Sequence, residues 1–164
     1  PLDRIVLRPQ YHDDPAAGGR IHGYGFPLRF KVEVSDTPDF DRVTVVANHL
    51  AADFANPVAR PVEFDARGLS GRFVRMTATR LWSRGQGMNA VFTLAEIEAY
   101  SGGVNAALGK AVAVSDSFEG SGWGKAHLTD GRWAQPLPEP LQAHPHAAIL
   151  LRKDFEISRP VKRA

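Results

Sequence analysis

Hydrophobic and polar residues alternate with a period of two along much of the chain, a pattern typical of β-strands that bury one face. The clearest cases are residues 28–34 (Leu-Arg-Phe-Lys-Val-Glu-Val) and 73–79 (Phe-Val-Arg-Met-Thr-Ala-Thr). No window carries the i, i+3, i+4, i+7 stripe of an amphipathic helix over three turns. The pattern therefore predicts an all-β chain folded as an antiparallel β-sandwich. Shorter apolar runs predict further strands at residues 4–8, 43–47, 62–64 and 91–100.

The last of these predicted strands contains a change of phase. Phe92 and Leu94 lie in one phase of the alternation. Ile97 and Ala99 lie in the opposite phase. A single inserted residue would restore one apolar face on both sides, so the sequence predicts a β-bulge at residues 95–96.

Polar, glycine-rich stretches separate the predicted strands. Residues 12–24 and 82–89 are predicted to be long loops, because Gly, Asp, Asn and Pro favour turns. A weak strand is predicted over residues 105–114. It is followed by a loop at 115–124 and a short segment at 125–130.

Composition removes several classes of function. The 164 residues include 20 Lys and Arg against 18 Asp and Glu, so the net charge is only +2. Because the basic residues are interleaved with acidic ones, we expect no nucleic-acid partner. The absence of cysteine excludes disulfides, thiol nucleophiles and Cys-ligated metals. No apolar run is long enough for a transmembrane helix, so we expect no membrane partner.

Four segments occur in an order that resembles a known domain family. They are residues 5–7, the strand 30–36 that ends in Ser-x-Asp, the Arg-Phe-Val-Arg strand at 72–75, and Ala-Glu-Ile-Glu-Ala-Tyr at 95–100. Together they resemble the discoidin, or coagulation-factor type C, domain of the galactose-binding-like fold, over roughly residues 2–100. The resemblance implies a jelly-roll β-sandwich that serves as an accessory module.

The resemblance also shapes the expected domain organisation. Residues 105–112 and the Asp130-Gly131 pair resemble the opening of this family, although they come last here. This segment either closes the same sandwich in permuted order or begins a second copy. The predicted units are a discoidin-like sandwich at 1–103, the closing segment at 104–135, a Pro-rich linker at 136–147 and a strand of a following domain at 148–164.

The last segment resembles the opening strand of the N-terminal domain of bacterial α-L-rhamnosidases. With the first residue a proline rather than methionine, we expect an excised part of a larger, α-L-rhamnosidase-like glycoside hydrolase. Such a protein is expected to be secreted or periplasmic. The expected partners are the adjacent catalytic domain of the same chain and carbohydrate, namely rhamnose- or galactose-containing glycans.

The family resemblance further implies a structural calcium ion. Its ligands would be the Ala95-Glu96 pair and Asp130, since calcium accepts many hard oxygen ligands in flexible geometry. Arg132 stands where the family has a ligand Asn, and a cation there repels the metal. The alternative is that Glu96 accepts backbone hydrogen bonds or pairs with an arginine.

Sugar binding needs an apolar surface for the ring and bidentate donors for the hydroxyls. Trp82 between Arg80 and Arg84 is the best such constellation in the sequence, and Tyr24 and His22 lie on a second loop that could meet it. The alternative is that Trp82 caps the core while the arginines are solvated or form ion pairs. The function predicted is non-catalytic carbohydrate binding; a structural spacer without a ligand is the competing class.

Catalysis by this chain alone is not expected. Acidic residues are plentiful, but adjacent acids in Gly- and Pro-rich loops are usually turn formers. The sequence contains no Gly-x-Ser-x-Gly elbow, phosphate-binding loop or HExxH motif. His144-Pro145-His146 lies in the predicted linker and is interpreted as adventitious for metal.

Overall fold

A computed structural model of the chain describes residues 1–86, 88–120 and 123–133. These residues belong to one compact unit that spans Pro1–Ala134. Among them, regular structure is almost entirely extended, with two short 3₁₀ helices at Pro15–Ala17 and Lys125–Thr129. The strands are β1 (Arg4–Arg8), β2 (Tyr11–Asp14), β3 (Gly19–His22), β4 (Arg29–Ser35), β5 (Thr44–His49), β6 (Val62–Asp65), β7 (Phe73–Arg80), β8 (Trp82–Ser83), β9 (Ala90–Val91), β10 (Glu96–Ser101) and β11 (Val104–Asn105).

One antiparallel sheet has the strand order β5-β4-β7. Its central strand β4 buries Phe30, Val32 and Val34, as the alternation predicts. The register shifts twice along β4, once between Val32 and Glu33 against β5 and once between Arg29 and Phe30 against β7.

A second antiparallel sheet has the order β11-β10-β1-β6. Its side chains Ile5, Leu7 and Ala99 join the same hydrophobic core as those of the first sheet. The all-β prediction is therefore confirmed, with antiparallel pairing throughout both sheets. The buried members of the shared core are Leu2, Ile5, Leu7, Phe26, Phe30, Val32, Val34, Ala47, Ala66, Leu94 and Ala99.

The far face of the second sheet is also buried. Val6, Glu96 and Glu98 lie on this face, and each is at most 4% exposed. The 3₁₀ helix at Lys125–Thr129 contacts β10, and Trp133 lies over Arg8. The segment that follows β11 therefore covers the sheet from outside.

The weak strand predicted over residues 105–114 is wrong beyond its first residue. Only Val104–Asn105 pairs with β10. The Asn105 side-chain oxygen accepts hydrogen bonds from the N–H groups of Ala99 and Ala107, at 3.2 and 3.1 Å. This local bond turns the chain away from the sheet, as side-chain-to-backbone bonds of Asn commonly do.

The β-bulge predicted at residues 95–96 agrees with the contacts at the start of β10. Glu96 pairs with Arg8, and the Ala95 N–H also donates to the Arg8 carbonyl at 2.9 Å, so two residues oppose one. Leu94 before this point and Ile97 and Ala99 after it all pack in the core.

Two loop predictions, in contrast, are corrected by the strand pairing. Within the predicted loop 12–24, β2 pairs with β3 in a hairpin. Within the loop predicted at 82–89, the first two residues form β8 and pair with β9.

The predicted linker at 136–147 and the predicted strand at 148–164 lie outside the described residues. Within the described part of the chain, no helix has the length and apolar character required to cross a bilayer.

Candidate functional site

The β2–β3 hairpin separates its side chains onto two faces. Tyr11 and His22 are paired directly, so they share one face, whereas His12 and Asp14 point to the other. The Arg20 guanidinium lies 3.9 Å from the centre of the Tyr11 ring and closes the first face. The second face is directed toward the aromatic residues described next.

Tyr24 follows this hairpin and is fixed through its backbone. Gly23 and Gly25 on either side have φ values of +64° and +67°, which glycine adopts without steric cost. The Tyr24 N–H donates to the Gln10 carbonyl at 3.0 Å. The Thr93 hydroxyl donates to the Tyr24 carbonyl. The Tyr24 backbone is therefore held by two separate parts of the chain.

Three aromatic side chains lie around Tyr24, and we refer to His12, Tyr24, Trp82 and Trp123 as the aromatic cluster. The Tyr24 ring centre lies 4.7 Å from that of His12, 5.1 Å from that of Trp82 and 6.3 Å from that of Trp123. The Tyr24–Trp82 pair is edge-to-face, with 60° between the planes. All four residues are half-buried.

An ion pair borders the aromatic cluster. Arg84 forms a salt bridge with Asp14, and its guanidinium carbon lies 5.8 Å from the centre of the Tyr24 ring. The Asp14 side chain is 12% exposed and that of Arg84 is 33% exposed. The Asp14 Oδ1 also accepts the Ala16 N–H at 3.0 Å, so both oxygens of this carboxylate have partners within the protein. Arg84 places a hydrogen-bond donor next to the aromatic rings.

Of the five residues expected to form a sugar site, the structure brings three together. Tyr24, Trp82 and Arg84 meet, but His22 lies on the opposite face of the hairpin. Arg80 pairs instead with Asp53, through Nη1 at 2.8 and 2.9 Å. Both arginines therefore form ion pairs, as the alternative interpretation held.

Three members of the site were missed by sequence reasoning. His12 and Asp14 alternate along β2 and so share a face, a signal that becomes readable only once the stretch is recognised as a hairpin. Trp123 lies about a hundred residues away in sequence, and no local pattern connects it with Tyr24.

The residues expected to hold calcium lie on the far face of the second sheet. Glu96 is 0% exposed. Its Oε1 accepts hydrogen bonds from the Gly131 N–H at 2.6 Å and the Arg132 N–H at 3.1 Å. Burial raises the pKa of Glu96 to about 7, and the negative charge of Asp130 acts in the same direction.

Asp130 behaves in the opposite way. Its Oδ2 lies 2.9 Å from His127 Nδ1, and its Oδ1 accepts the Arg132 N–H at 2.8 Å. The His127 hydrogen bond, above all, holds the pKa of Asp130 below its ordinary value. Asp130 is therefore ionised beside a carboxyl group that resists ionisation.

The fit of a cation can be judged from Glu96 itself. Within the described residues, its Oε2 is buried and has no hydrogen-bond partner. A buried carboxylate oxygen near a second carboxylate is stabilised by a proton or by a cation. No group of three or more His, Asp or Glu side chains suited to a metal occurs among residues 1–86, 88–120 and 123–133. Any calcium here would depend on Glu96, Asp130 and backbone oxygens such as that of Ala95.

Chemically, the aromatic cluster and its ion pair suit a neutral, hydroxylated ligand with an apolar face. Aromatic rings contact C–H groups, and the Arg84 guanidinium, held by Asp14, supplies a hydrogen-bond donor for hydroxyls. Comparison of the chain with protein-family models, curated proteins and solved structures finds no match in any of the three.

Proposed function

We propose that this chain is a non-catalytic carbohydrate-binding module of a larger glycoside hydrolase, α-L-rhamnosidase-like in type, with a galactose-binding-like jelly-roll sandwich. The observation that carries the proposal is the aromatic cluster, in which half-buried rings lie beside the Arg84–Asp14 ion pair. Sugar rings bind to such surfaces through C–H contacts and directed hydroxyl hydrogen bonds. The four sequence segments whose order along the chain resembles that of discoidin domains support the same assignment.

A binding role fits the chemistry of the cluster better than hydrolysis does. Asp14 is the only carboxylic acid among the residues named in the cluster and its ion pair, whereas glycoside hydrolysis usually requires two carboxyl groups across the scissile bond. A module of this kind acts by raising the local concentration of substrate near a tethered catalytic domain. The isolated chain is accordingly expected to release no product from standard glycoside substrates.

Isothermal titration with rhamnose, galactose and oligosaccharides that contain them tests the proposal. We expect heat with at least one of these ligands, and affinity reduced about tenfold or more by Trp82→Ala and by Tyr24→Ala. Trp133→Ala is the matched control, because it removes an indole that lies over Arg8 rather than in the cluster. Absence of heat with every ligand, or equal weakening by the control, contradicts the proposal.

The competing function is a spacer that packs on a neighbouring domain. The ion pairing of Arg80 and Arg84 favours it, since paired arginines need no ligand. A spacer predicts no heat with any sugar, whereas Trp82→Ala should lower the melting temperature under either function because Trp82 is half-buried. Titration of the native protein therefore separates the two functions.

We also propose a structural calcium ion held by Glu96 and Asp130, with the Ala95 carbonyl as a further ligand. Support comes from the buried, unpartnered Oε2 of Glu96, found among the described residues, and from the ionised Asp130 beside it. Calcium binding stabilises the folded state in proportion to the logarithm of its concentration.

The calcium proposal is tested by thermal unfolding at pH 8 with millimolar calcium or with EDTA. We expect a higher melting temperature with calcium in the native protein and no such increase in Glu96→Gln. Glu119→Gln removes an equal charge from an exposed position and should keep the calcium effect. The same melting temperature with and without calcium would rule out the site.

A further inference from the structure

The outer face of the β5-β4-β7 sheet carries an unusual concentration of cations. Phe30, Val32 and Val34 of β4 point into the core, so Arg29, Lys31 and the other odd-numbered residues point away from it. We call Arg29, Lys31, Arg75 and Arg80, with the carboxylates of Glu33 and Asp53, the cationic face.

The register brings the cations of the two strands together. Arg29 pairs directly with Arg80, and Glu33 pairs directly with Arg75. Lys31 lies between them on β4, two residues from each, which corresponds to roughly 7 Å along the strand. The cationic face therefore extends along most of β4 and β7.

Each carboxylate of the cationic face is shared by two cations. Glu33 accepts from Lys31 Nζ at 2.7 Å and from Arg75 Nη2 at 2.9 Å. Asp53 accepts from Arg29 Nε at 2.7 Å and from Arg80 Nη1 at 2.8 Å. Four cations against two carboxylates leave a net charge of +2 on this face, equal to that of the whole chain.

Both carboxylates are ionised at neutral pH. Burial alone would raise the pKa of Glu33, which is 2% exposed, but hydrogen bonds from Lys31 and Arg75 hold it below its ordinary value. The hydrogen bond from Arg29 and the charge of Arg80 lower the pKa of Asp53. The carboxylates consequently act as fixed anchors for the cations.

The anchored arginines keep donors toward solvent. Arg29 uses only Nε and Arg80 only Nη1, and in the described parts of the chain their remaining nitrogens have no hydrogen-bond partner. Their side chains are 37% and 53% exposed. A guanidinium held in place by one carboxylate loses less conformational entropy when it binds a second anion.

We propose that the cationic face binds an acidic polysaccharide, one whose sugar residues carry carboxylate groups. A carboxylate matches the planar fork of an arginine. A chain with about one charge per sugar can place its carboxylates on the arginines and pass the Glu33 and Asp53 carboxylates without close repulsion. A nucleic acid is disfavoured, because duplex DNA carries a charge about every 1.7 Å and would meet those carboxylates directly.

This proposal goes beyond the proposed function, since it uses a surface separate from the aromatic cluster and a charged rather than a neutral ligand. Arg80 bonds Asp53 on the cationic face, whereas Arg84 bonds Asp14 beside the aromatic cluster, so among the described residues the two sites share no ion pair.

Affinity electrophoresis and titration of the full chain with polygalacturonate test the proposal. We expect retardation at low salt, its loss at high salt, and none with the fully methyl-esterified polymer. Arg29→Gln/Arg80→Gln is expected to weaken binding at least about tenfold, because two guanidinium–carboxylate contacts are lost. Arg67 is an exposed arginine that pairs with Asp65 outside the cationic face. The control variant Arg67→Gln also removes an arginine charge, and it should bind polygalacturonate within about twofold of the native protein.

Several results would overturn the proposal: no retardation by polygalacturonate, equal retardation by the esterified polymer, equal weakening by the Arg67 control, or tighter binding of duplex DNA. Lys31→Gln is a second variant, for use if the double variant unfolds. It keeps the hydrogen bond from Arg75 to Glu33, so we expect it to fold and to bind polygalacturonate more weakly than the native protein. Neutral-sugar heat should persist in the double variant. Failure here and failure of the aromatic site are therefore distinguishable.

Discussion

Replacing Glu96 with glutamine is expected to stabilise the calcium-free fold at pH 8 while having much less effect at pH 5. Glutamine is nearly the same size and keeps an oxygen that can accept the Gly131 and Arg132 N–H groups. It removes only the charge that the buried site opposes. The perturbation therefore isolates the cost of ionising this one carboxyl group.

The magnitude follows from the pKa of Glu96, about 7 in the fold against an ordinary 4.5. Because the folded state holds its proton to higher pH, stability falls as pH rises from 4.5 and becomes constant above 7. At 1.36 kcal/mol for each pKa unit, the native protein should lose about 2 to 3 kcal/mol relative to Glu96→Gln between pH 5 and pH 8.

Urea unfolding followed by tryptophan fluorescence, in EDTA at several pH values, measures this difference. Other groups that titrate in the same range are common to both proteins, so they cancel in the comparison. The Asp130 carboxyl, whose pKa is lowered, contributes only at more acidic pH. A free-energy difference that does not change with pH, or that favours the native protein increasingly at pH 8, would refute the reasoning.

Two further predictions, which use three substitutions, concern the packing around the sites. Gly25→Ala would place a Cβ 2.6 Å from Thr93 Oγ1, whereas Gly68→Ala meets no atom within 4 Å at a similar positive φ. We expect Gly68→Ala to cost about 1 kcal/mol and Gly25→Ala at least about 1 kcal/mol more; equal melting temperatures would contradict this. Arg8→Met removes the partner of buried Glu98, bonded at 2.7 Å, and should cost about 3 kcal/mol in urea unfolding, whereas a loss below about 1 kcal/mol would be inconsistent with a buried pair.

The strands that could be predicted are those whose burial follows their own sequence. β1, β4 and β7 are strongly patterned because one face meets the core, and each lies within one residue of its predicted range. The sequence predicts a loop where the β2–β3 hairpin forms, because polar residues occupy both faces of the hairpin. No hydrophobic alternation exists there to detect.

The candidate site was predictable only in part, for reasons of register and distance. His12 and His22 differ in face because the hairpin pairs His22 with Tyr11, and a shift of one residue would exchange them. Arg80 pairs with Arg29 at the register shift between β4 and β7, and there it forms a salt bridge with Asp53. Trp123 reaches Tyr24 through tertiary folding alone.

Binding at the aromatic cluster and binding at the cationic face should depend differently on salt concentration. This difference allows any ligand to be assigned to one of the two sites. Contacts between sugar rings and Tyr24 or Trp82 are short-ranged and should change little with salt. Contacts of Arg29 and Arg80 with an anion lie at exposed positions, where dissolved salt screens charges over a Debye length of about 8 Å at physiological ionic strength. A ligand whose affinity is the same at low and high salt therefore belongs to the aromatic cluster, and one whose affinity decreases steeply belongs to the cationic face. A glycan that carries both neutral and acidic sugars would show an intermediate dependence, and the Trp82→Ala and Arg29→Gln/Arg80→Gln variants would remove its salt-insensitive and salt-sensitive parts separately.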